Sequence, residues 1–332
     1  MDDVLALAAD TNYAPLVACV LAMLAIYGHG RRVFILHDGI AAKLQRLTTS
    51  HIAGAFPVEW VMMGDRLDPA LYVPPNHLSR AAYGRLFLPD VLPRDVHRCI
   101  YLDCDVLLRQ DIDELCRSDL HGSYAGACVD PFHRTVGRAL SRWRRYGLDP
   151  GDPYFNSGVM ALDLDAWRAT DLTAELRRTT LAASPDELGS ADQDVLNIVL
   201  HRKWTRLPAK WNVHPMLVRR LGTIGVEPEV RELMREPDVA AARHDPAIVH
   251  FVGRLKPWLP EYRGGLHSSW YKEWTRFAAM TPFKQRLLGG WKTRARHGAW
   301  SMAARPLDLA IGRRPSNGDI AERLGQLSAR AV

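Results

Sequence analysis

Short apolar runs alternate with helical patterns in the N-terminal part of the chain, and this alternation constrains the fold more than any other feature. Residues 4–9 form an apolar run that ends in polar residues 10–12, and residues 15–27 then carry apolar side chains at helical spacing. Residues 32–37 and 58–63 predict two further strands. Such alternation is typical of parallel α/β sheets, in which polar groups at the carboxyl ends of strands line a ligand crevice.

Two aspartates follow the fourth predicted strand. Residues 99–102 are apolar and lead directly into Asp103, Cys104 and Asp105. Both carboxylates reach one site if the backbone turns there, and hard oxygen ligands suit Mg²⁺ or Mn²⁺. Two solvated loop aspartates are the simpler alternative, but the buried strand before them favours a metal site. Cys104 is expected to turn its side chain towards the core, since cysteine is among the most buried residue types.

The same run also resembles the nucleophile motif of haloacid-dehalogenase-type phosphatases, in which the first aspartate is phosphorylated and the second is a general acid. Those enzymes place Thr or Val two residues after the second aspartate, where this chain has Leu107, and their motif lies near the N-terminus. The later Lys and Asp-Asp partners are also not found. A phosphatase that uses Asp103 is therefore the weaker alternative.

Further elements are predicted on either side of the aspartates. They are helices over 78–88 and 191–200 and strands at 123–128, 157–162 and 247–252. A polar insertion over 131–153 is rich in arginine, with Arg134, Arg138, Arg142, Arg144 and Arg145.

Charge and cysteine content limit the classes of function. The net charge of +6 is concentrated from Gly265 onward, where twelve basic residues face four acidic ones. This asymmetry argues against a nucleic-acid-binding protein and favours local attraction of the tail to an anionic partner. Five cysteines without a CxxC pair, in a chain of this size, favour a reducing cytoplasm.

The C-terminal tail, residues 265–332, is expected to be an extension separate from a catalytic domain over 1–264. It interleaves cations with the apolar residues Trp270, Tyr271, Trp274, Phe277, Phe283, Leu287, Leu288, Trp291 and Trp300. This composition predicts a helix lying on an anionic membrane surface. A helical cap packed on the catalytic domain is an equal alternative for residues 270–277, and poor order is expected from Arg305 onward.

No signal peptide or membrane span is expected. The longest apolar stretch, residues 13–27, is broken by Pro15 and is shorter than the roughly 20 residues that cross a bilayer.

Six short motifs follow one another between residues 4 and 258. They are Ala8-Ala9-Asp10-Thr11-Asn12-Tyr13, His77 with Tyr83-Gly84-Arg85-Leu86, Tyr101-Leu102-Asp103-Cys104-Asp105, Tyr154-Phe155-Asn156-Ser157-Gly158, Asp192-Gln193-Asp194-Val195-Leu196-Asn197, and His250-Phe251-Val252-Gly253 with Lys256-Pro257-Trp258. In this order they resemble glycosyltransferase family 8, which includes bacterial lipooligosaccharide galactosyl- and glucosyltransferases and glycogenin. The resemblance implies an α/β fold of the GT-A type, with a Rossmann-like mixed sheet flanked by helices and a helical C-terminal extension.

The resemblance also implies a donor and a metal. The donor is UDP-galactose or UDP-glucose, the metal is usually manganese, and the sugar is transferred with retention of anomeric configuration. Ala8, Asp10, Asn12 and Tyr13 would bind the nucleoside, although Asp10 and Asn12 also suit a helix cap. Cys104 belongs to the donor-binding run between the two aspartates.

Other positions carry over from the same family. His250 would be the third metal ligand beside Asp103 and Asp105, although a lone histidine is more often structural. Gly253 and Lys256 would approach the diphosphate. The positions expected around the transferred sugar are His77, Arg85, Asp130, Asn156, Asp192 and Gln193.

Catalytic roles are assigned to Asp130, Asp192 and Gln193. Gln193 would lie opposite the leaving group, where an amide is a poor nucleophile, so a front-face mechanism and a double displacement both stay open. Asn156 also suits a turn, Asp192 a helix N-terminus and Arg85 an exposed helix position.

Two departures from the family leave details open. Val252 stands where some relatives have cysteine, and the arginine-rich insertion is expected to form either a lid near the donor or a solvated basic helix. The acceptor is expected to be a saccharide or lipid-linked saccharide, and the enzyme to be cytoplasmic and peripheral on the inner membrane. A nucleotide-sugar-binding protein without turnover is the alternative.

Overall fold

The computed structural model describes residues 3–68, 71, 79–184, 187–218, 228–253, 256–259 and 268–288. Its strands are β1 (Val4–Asp10), β2 (Val33–Asp38), β3 (Val58–Met62), β4 (Arg98–Leu102), β5 (Val106–Leu108), β6 (Ala125–Val129), β7 (Phe155–Asp163), β8 (Trp204–Arg206) and β9 (Ile248–His250). Its α-helices are α1 (Ala14–Tyr27), α2 (Ala42–Thr49), α3 (Leu88–Val91), α4 (Asp113–Cys116), α5 (Val136–Ala139), α6 (Leu164–Ala169), α7 (Leu172–Ala182), α8 (Asp192–Val199), α9 (Pro228–Leu233), α10 (Pro237–His244), α11 (Ser268–Met280) and α12 (Lys284–Leu288). Short 3₁₀-helices cover Ser50–Ile52, Gly64–Arg66, Arg80–Phe87, Trp143–Tyr146, Ala209–Trp211 and Pro215–Val218.

The strands form one mixed sheet and one small ribbon. The sheet has seven strands in the order β3-β2-β1-β4-β7-β6-β8, and β5 pairs with β9 in a separate two-stranded ribbon. β1 runs parallel to β2 and β4, whereas β7 is antiparallel to both β4 and β6. The predicted mixed α/β sheet is confirmed.

Helices cover both faces of the sheet because alternate side chains of each strand point to opposite faces. In β1, Leu5 and Leu7 join the core that contains α1, whereas Val4 and Ala6 join the core on the other face. Nearly every side chain of α1 is buried, because this helix packs against β1, β5, α2 and α11. An apolar surface around the whole helix is therefore accommodated.

Most predicted elements are present, with ends shifted by one to three residues. The strand predicted at 247–252 is shorter and joins the ribbon instead of the main sheet. The pattern at 78–88 is largely the 3₁₀-helix Arg80–Phe87. The insertion over 131–153 is not one solvated helix, because it folds back on itself: the Gly137 N–H donates to the Pro150 carbonyl at 2.9 Å.

Helix α11 packs on the core that surrounds α1. Trp270, Trp274 and Phe277 are buried in the same cluster as α1, and Arg109 pairs with Glu273 at 2.9 Å. For these residues the structure has the packed cap that was one of the two alternatives. The later part of the tail lies outside the described residues. It includes Trp291, Trp300 and the segment from Arg305 onward, for which poor order is predicted. Within the described ranges, none of the helices combines the length and apolar character needed to cross a bilayer.

Candidate active site

A cleft of about 420 Å³ lies at the carboxyl ends of β1 and β4, beside the start of α8. This volume is in the range of small-molecule sites. The lining residues are Ala8, Ala9, Asp10, Tyr13, Ser79, Ala81, Ala82, Arg85, Tyr101, Asp103, Cys104, Asp105, Asp130, Phe132, His133, Asn156, Ser157, Gly189, Ser190, Asp192, Gln193, His250, Val252, Gly253 and Lys256.

Two carboxylates and one imidazole meet in this cleft. β5 begins directly after Asp105, and its pairing with β9 places Val106 opposite His250. The His250 Nε2 atom is 3.1 Å from Asp105 Oδ1 and 3.6 Å from Asp103 Oδ2. One ligand atom from each of the three side chains lies within 4.8 Å of the other two. The structure thus brings the predicted metal ligands together.

The surroundings of His250 hold it in a ligand orientation. Its Nδ1 atom is 3.0 Å from Asn212 Oδ1, so Nδ1–H donates to that oxygen and Nε2 faces the carboxylates. A Cβ atom added at Gly158 would lie 2.1 Å from His250 Cε1 and 2.8 Å from Asp103 Oδ2. Only glycine leaves room for both ligands. Oxygen and imidazole donors held in this way fit Mn²⁺ or Mg²⁺.

Arg85 connects the metal ligands to the start of α8. Its Nη2 atom donates to Asp103 Oδ1 at 2.8 Å, and its Nε atom is 2.9 Å from Asp192 Oδ2. The guanidinium also lies over the Tyr101 ring and donates to the Ser157 carbonyl. Arg85 is only 4% exposed. The alternative prediction of an exposed helix position, which is usual for an arginine, is therefore wrong.

The Gln193 carboxamide is held at both ends. Its Oε1 atom accepts from the Ser157 N–H and from Asn156 Nδ2, each at 3.1 Å. Its Nε2 atom donates to Asp130 Oδ2 at 3.1 Å and to the Tyr154 hydroxyl at 3.3 Å. The hydrogen-bonding groups of this amide are therefore occupied by neighbouring protein groups.

The turn between β1 and α1 also lines the cleft. Asp10 Oδ1 accepts from the backbone N–H groups of Asn12 and Tyr13 at 2.8 and 3.2 Å, so it orders the turn while it lines the cleft. Tyr13 lines the cleft, whereas Asn12 is exposed and lies outside the lining. The buried Cys104 thiol donates to the Ala8 carbonyl at 3.3 Å.

Comparison with known sequences decides the family. The profile of Glycosyl transferase family 8 matches residues 4–261. The chain belongs to this family. It is 30% identical over 260 residues to General stress protein A of Bacillus subtilis (strain 168), an alignment that covers 75% of this chain and 85% of that protein.

Two further matches extend the comparison. Lipopolysaccharide 1,2-glucosyltransferase of Escherichia coli (strain K12) is 30% identical over 182 residues, which is 54% of this chain and 49% of that protein. The crystal structure of the galactosyltransferase LgtC with donor and acceptor sugar analogs has a TM-score of 0.67 and 23% identity, and covers 88% of this chain and 99% of that one. The chain is thus a glycosyltransferase of family 8 with the GT-A fold of LgtC.

In this glycosyltransferase, Lys256 lies against the metal ligands. Its Nζ atom pairs with Asp105 Oδ2 and donates to the Phe251 carbonyl, and the side chain is almost fully buried. Burial by itself would raise the pKa of Asp105, but Lys256 and His250 together hold it well below its usual range. Lys256 is therefore a buried positive charge within the cleft, as a diphosphate contact requires, and its partner in this structure is Asp105.

Two buried carboxyls at the start of α8 have the opposite shift. Burial raises the pKa of Asp192 to about 6, although Arg85 opposes the rise. Burial likewise raises the pKa of Asp194 to about 7, against the hydrogen bonds from Tyr154 and Ser190. A strongly acidic carboxyl thus lies at the metal ligands, and two weakly acidic carboxyls lie beside Gln193, Asp192 in the cleft and Asp194 behind it.

The structure brings most of the predicted site residues together. Of the sixteen positions, Asn12 is placed outside the lining, and His77 lies outside the described residues. The other fourteen line the cleft.

Sequence reasoning assigned no role to several residues that support the site. Asn212 orients His250, Tyr154 and Asp194 contact Gln193 and its helix, and Phe132 forms part of the rim. Asn212 stands between two apolar residues, Trp211 and Val213, which are both buried. Because buried polar groups need hydrogen-bond partners, this position was the available sign that Asn212 contacts another polar group. Tyr154 and Asp194 stand inside two of the family motifs.

Proposed function

We propose that this chain is a retaining hexosyltransferase, which moves galactose or glucose from a UDP-sugar to a hydroxyl of a saccharide or lipid-linked saccharide. One observation carries the proposal: a single cleft is lined by Asp10 and Tyr13, by the three metal ligands and by Gln193. These three groups match the base, the diphosphate and the sugar of such a donor. Membership of family 8 supports it, as does the Escherichia coli relative whose name is a glucosyltransferase.

Asp103, Asp105 and His250 would hold Mn²⁺ or Mg²⁺, which when bound neutralises negative charge on a leaving diphosphate. Lys256 adds a positive charge beside Asp105, and its burial strengthens the interaction with an anion. Tyr13 offers a ring face to the uracil, while Ala8 offers its backbone and Gly253 a close backbone approach to the phosphates.

The sugar would lie between Arg85, Asp192, Asn156 and Asp130. Asp192 is held by Arg85 and accepts a hydrogen bond from a sugar hydroxyl. Gln193 is a poor nucleophile, and its amide oxygen already accepts from Ser157 and Asn156. This arrangement supports a front-face reaction, in which an oxygen of the departing diphosphate takes the proton of the acceptor hydroxyl, over a double displacement at Gln193.

The decisive experiment measures UDP release from a panel of nucleotide-sugars, with added Mn²⁺ and with a chelator. UDP-galactose or UDP-glucose should be turned over only with the metal, and the anomeric configuration of the product, read by NMR, should be that of the donor. Asp103→Asn and Asp105→Asn should abolish turnover while circular dichroism stays unchanged. Asp111→Asn, an exposed acid in a second histidine-aspartate group, is the matched control and should keep full activity.

Retained activity in either cleft variant would remove the metal hypothesis. Tight UDP binding by the wild type without turnover of any donor would instead support the non-catalytic binding protein. Family membership favours transfer over the phosphatase alternative, and trapping of a phosphorylated Asp103 would be needed to restore that alternative.

We further propose that the end of the chain attaches the enzyme to the cytoplasmic face of an anionic membrane. The basic residues after Leu288 are Lys292, Arg294, Arg296, Arg305, Arg313, Arg314, Arg323 and Arg330, each worth about 1 kcal/mol near such a surface. A chain that ends at Leu288 keeps the buried α11 and α12, so it tests the tail without removing core residues. It should no longer sediment with anionic vesicles. Sedimentation equal to that of the full chain would reject this role.

A further inference from the structure

Asp194 is a buried carboxylate that takes no part in metal binding. It is 1% exposed. Its Oδ1 atom accepts the hydroxyl proton of Tyr154 at 2.5 Å, and its Oδ2 atom accepts from the Ser190 N–H at 2.7 Å. Within the described ranges no cation contacts it. Burying a carboxylate costs free energy when only neutral donors contact it. The role of the two hydrogen bonds that Asp194 receives therefore needs an explanation.

The bond from Tyr154 to Asp194 fixes the direction of the next hydrogen bond. A tyrosine hydroxyl has one proton, and here Asp194 accepts it. The oxygen of Tyr154 therefore faces Gln193 with its lone pairs and accepts one N–H of the carboxamide. The other N–H of Gln193 goes to Asp130. The two acceptors together fix both the rotation and the plane of the amide.

The same carboxylate orders the turn that leads to Gln193. Asp194 reaches back to the N–H of Ser190, which lines the cleft. Between them Ala191 has φ 51° and ψ −119°, a conformation that residues with a side chain rarely adopt. Surrounding contacts must hold such a backbone in place, and the bond from Ser190 to Asp194 spans it. Asp192 and Gln193 follow directly at the start of α8.

We propose that Asp194 is a positioning residue of the transferase, which acts through Tyr154 to hold the Gln193 carboxamide against the transferred sugar. The proposal rests on the function proposed above. Neither Asp194 nor Tyr154 lines the cleft, so each acts without touching the donor. Loss of either should leave nucleotide binding intact and slow the transfer step, because both residues act on Gln193 and neither lines the cleft.

The test compares Tyr154→Phe and Asp194→Asn with wild type in steady-state UDP release, using the donor that the wild type turns over. Tyr154→Phe removes the hydroxyl and keeps the ring, so it stays informative even if Asp194→Asn unfolds. We expect kcat to fall about tenfold, while the Kd for UDP and Mn²⁺ stays unchanged. A tenfold fall is the typical effect of losing one hydrogen bond in a network that includes a charged group. Tyr146→Phe, which removes a hydroxyl from a half-buried tyrosine without a bond to Gln193, should keep wild-type kcat.

A double-mutant cycle shows whether the effect passes through Gln193. In a Gln193→Ala background, Tyr154→Phe should cause no further loss, because the group it positions is gone. Wild-type kcat in Tyr154→Phe, or an equal loss in both backgrounds, would overturn the proposal. A fall in UDP affinity that accounts for the whole effect would also overturn it. Absence of turnover in the wild type would instead defeat the proposed function.

Discussion

Gly158→Ala should disable the metal site by adding one methyl group. An alanine Cβ would lie 2.1 Å from His250 Cε1 and 2.7 Å from Nδ1, whereas ordinary contacts begin near 3.4 Å. The imidazole must therefore retreat by more than about 1 Å, and a displacement of that size at a catalytic group costs about 100-fold in rate. Retreat also strains the bond to Asn212, and loss of such an orienting partner weakens metal affinity by about 10- to 100-fold.

The assay is UDP release from the preferred donor as Mn²⁺ is titrated, together with thermal unfolding. Gly126→Ala is the matched control, because Gly126 lies on β6, the strand next to the one that carries Gly158. Its added Cβ would meet Leu120 at 2.8 Å and Leu207 at 2.9 Å, and neither of these is a metal ligand. Overpacking of this kind costs about 1–3 kcal/mol, so both variants should lower Tm. Only Gly158→Ala should raise the Mn²⁺ concentration for half-maximal rate. Wild-type Mn²⁺ dependence and kcat in Gly158→Ala would refute the role given to this glycine.

Three further predictions follow from other contacts. Asn212→Ala should weaken Mn²⁺ activation by about 10- to 100-fold, read from the same titration, because His250 loses the acceptor of its Nδ1–H; an unchanged titration would contradict this. Trp274→Ala should lower the free energy of unfolding in urea by about 3–5 kcal/mol, since this side chain is fully buried between α11 and the core; a loss below about 1 kcal/mol would show that α11 is weakly packed. Burial raises the pKa of Asp194 from 3.8 to about 7. Between these two pH values the folded protein binds a proton that the unfolded chain releases, so the contribution of Asp194 to stability declines as pH rises. The Tm of Asp194→Asn relative to wild type should accordingly rise between about pH 4 and pH 7 and level off above that range, and a constant difference from pH 4 to pH 7 would contradict the shifted pKa.

Local pattern was sufficient for the elements that have enough residues to show a period. β1, β2 and β4 are apolar runs bounded by polar residues, and their predicted ends are within a residue or two of those observed. β5 and β8 have three residues each, too few for any period, and neither was predicted. The pairing of β5 with β9 joins segments far apart in the chain, so no local signal specifies it. That pairing nevertheless carries His250 to the aspartates.

The composition of α1 shows a second limit of local pattern. Its side chains are apolar on every face, which predicts a helix but does not say what covers the face turned away from the sheet. The cover is α11, whose aromatic residues suit either a membrane surface or a protein core by composition. Only the contact between the two helices distinguishes these alternatives for Trp270 and Trp274.

At the active site, the motifs identified which residues gather but not how they hold one another. A continuous chain of hydrogen bonds links the metal ligand His250 to Gln193 through Asn212 and Asn156. The two middle members are neutral amides, each of which donates and accepts, so orientation passes along the chain without adding charge.

The balance of charge in the cleft explains why the bridging side chains are neutral amides and why a divalent cation suits the site. Six carboxyls lie in or directly behind it, against two buried cations, Arg85 and Lys256; these carboxyls are Asp10, Asp103, Asp105, Asp130, Asp192 and Asp194. A diphosphate adds further negative charge, which such surroundings would repel. A divalent ion at Asp103, Asp105 and His250 would offset part of this excess. From this balance of charge we expect the metal to be needed for donor binding as well as for the departure of the diphosphate.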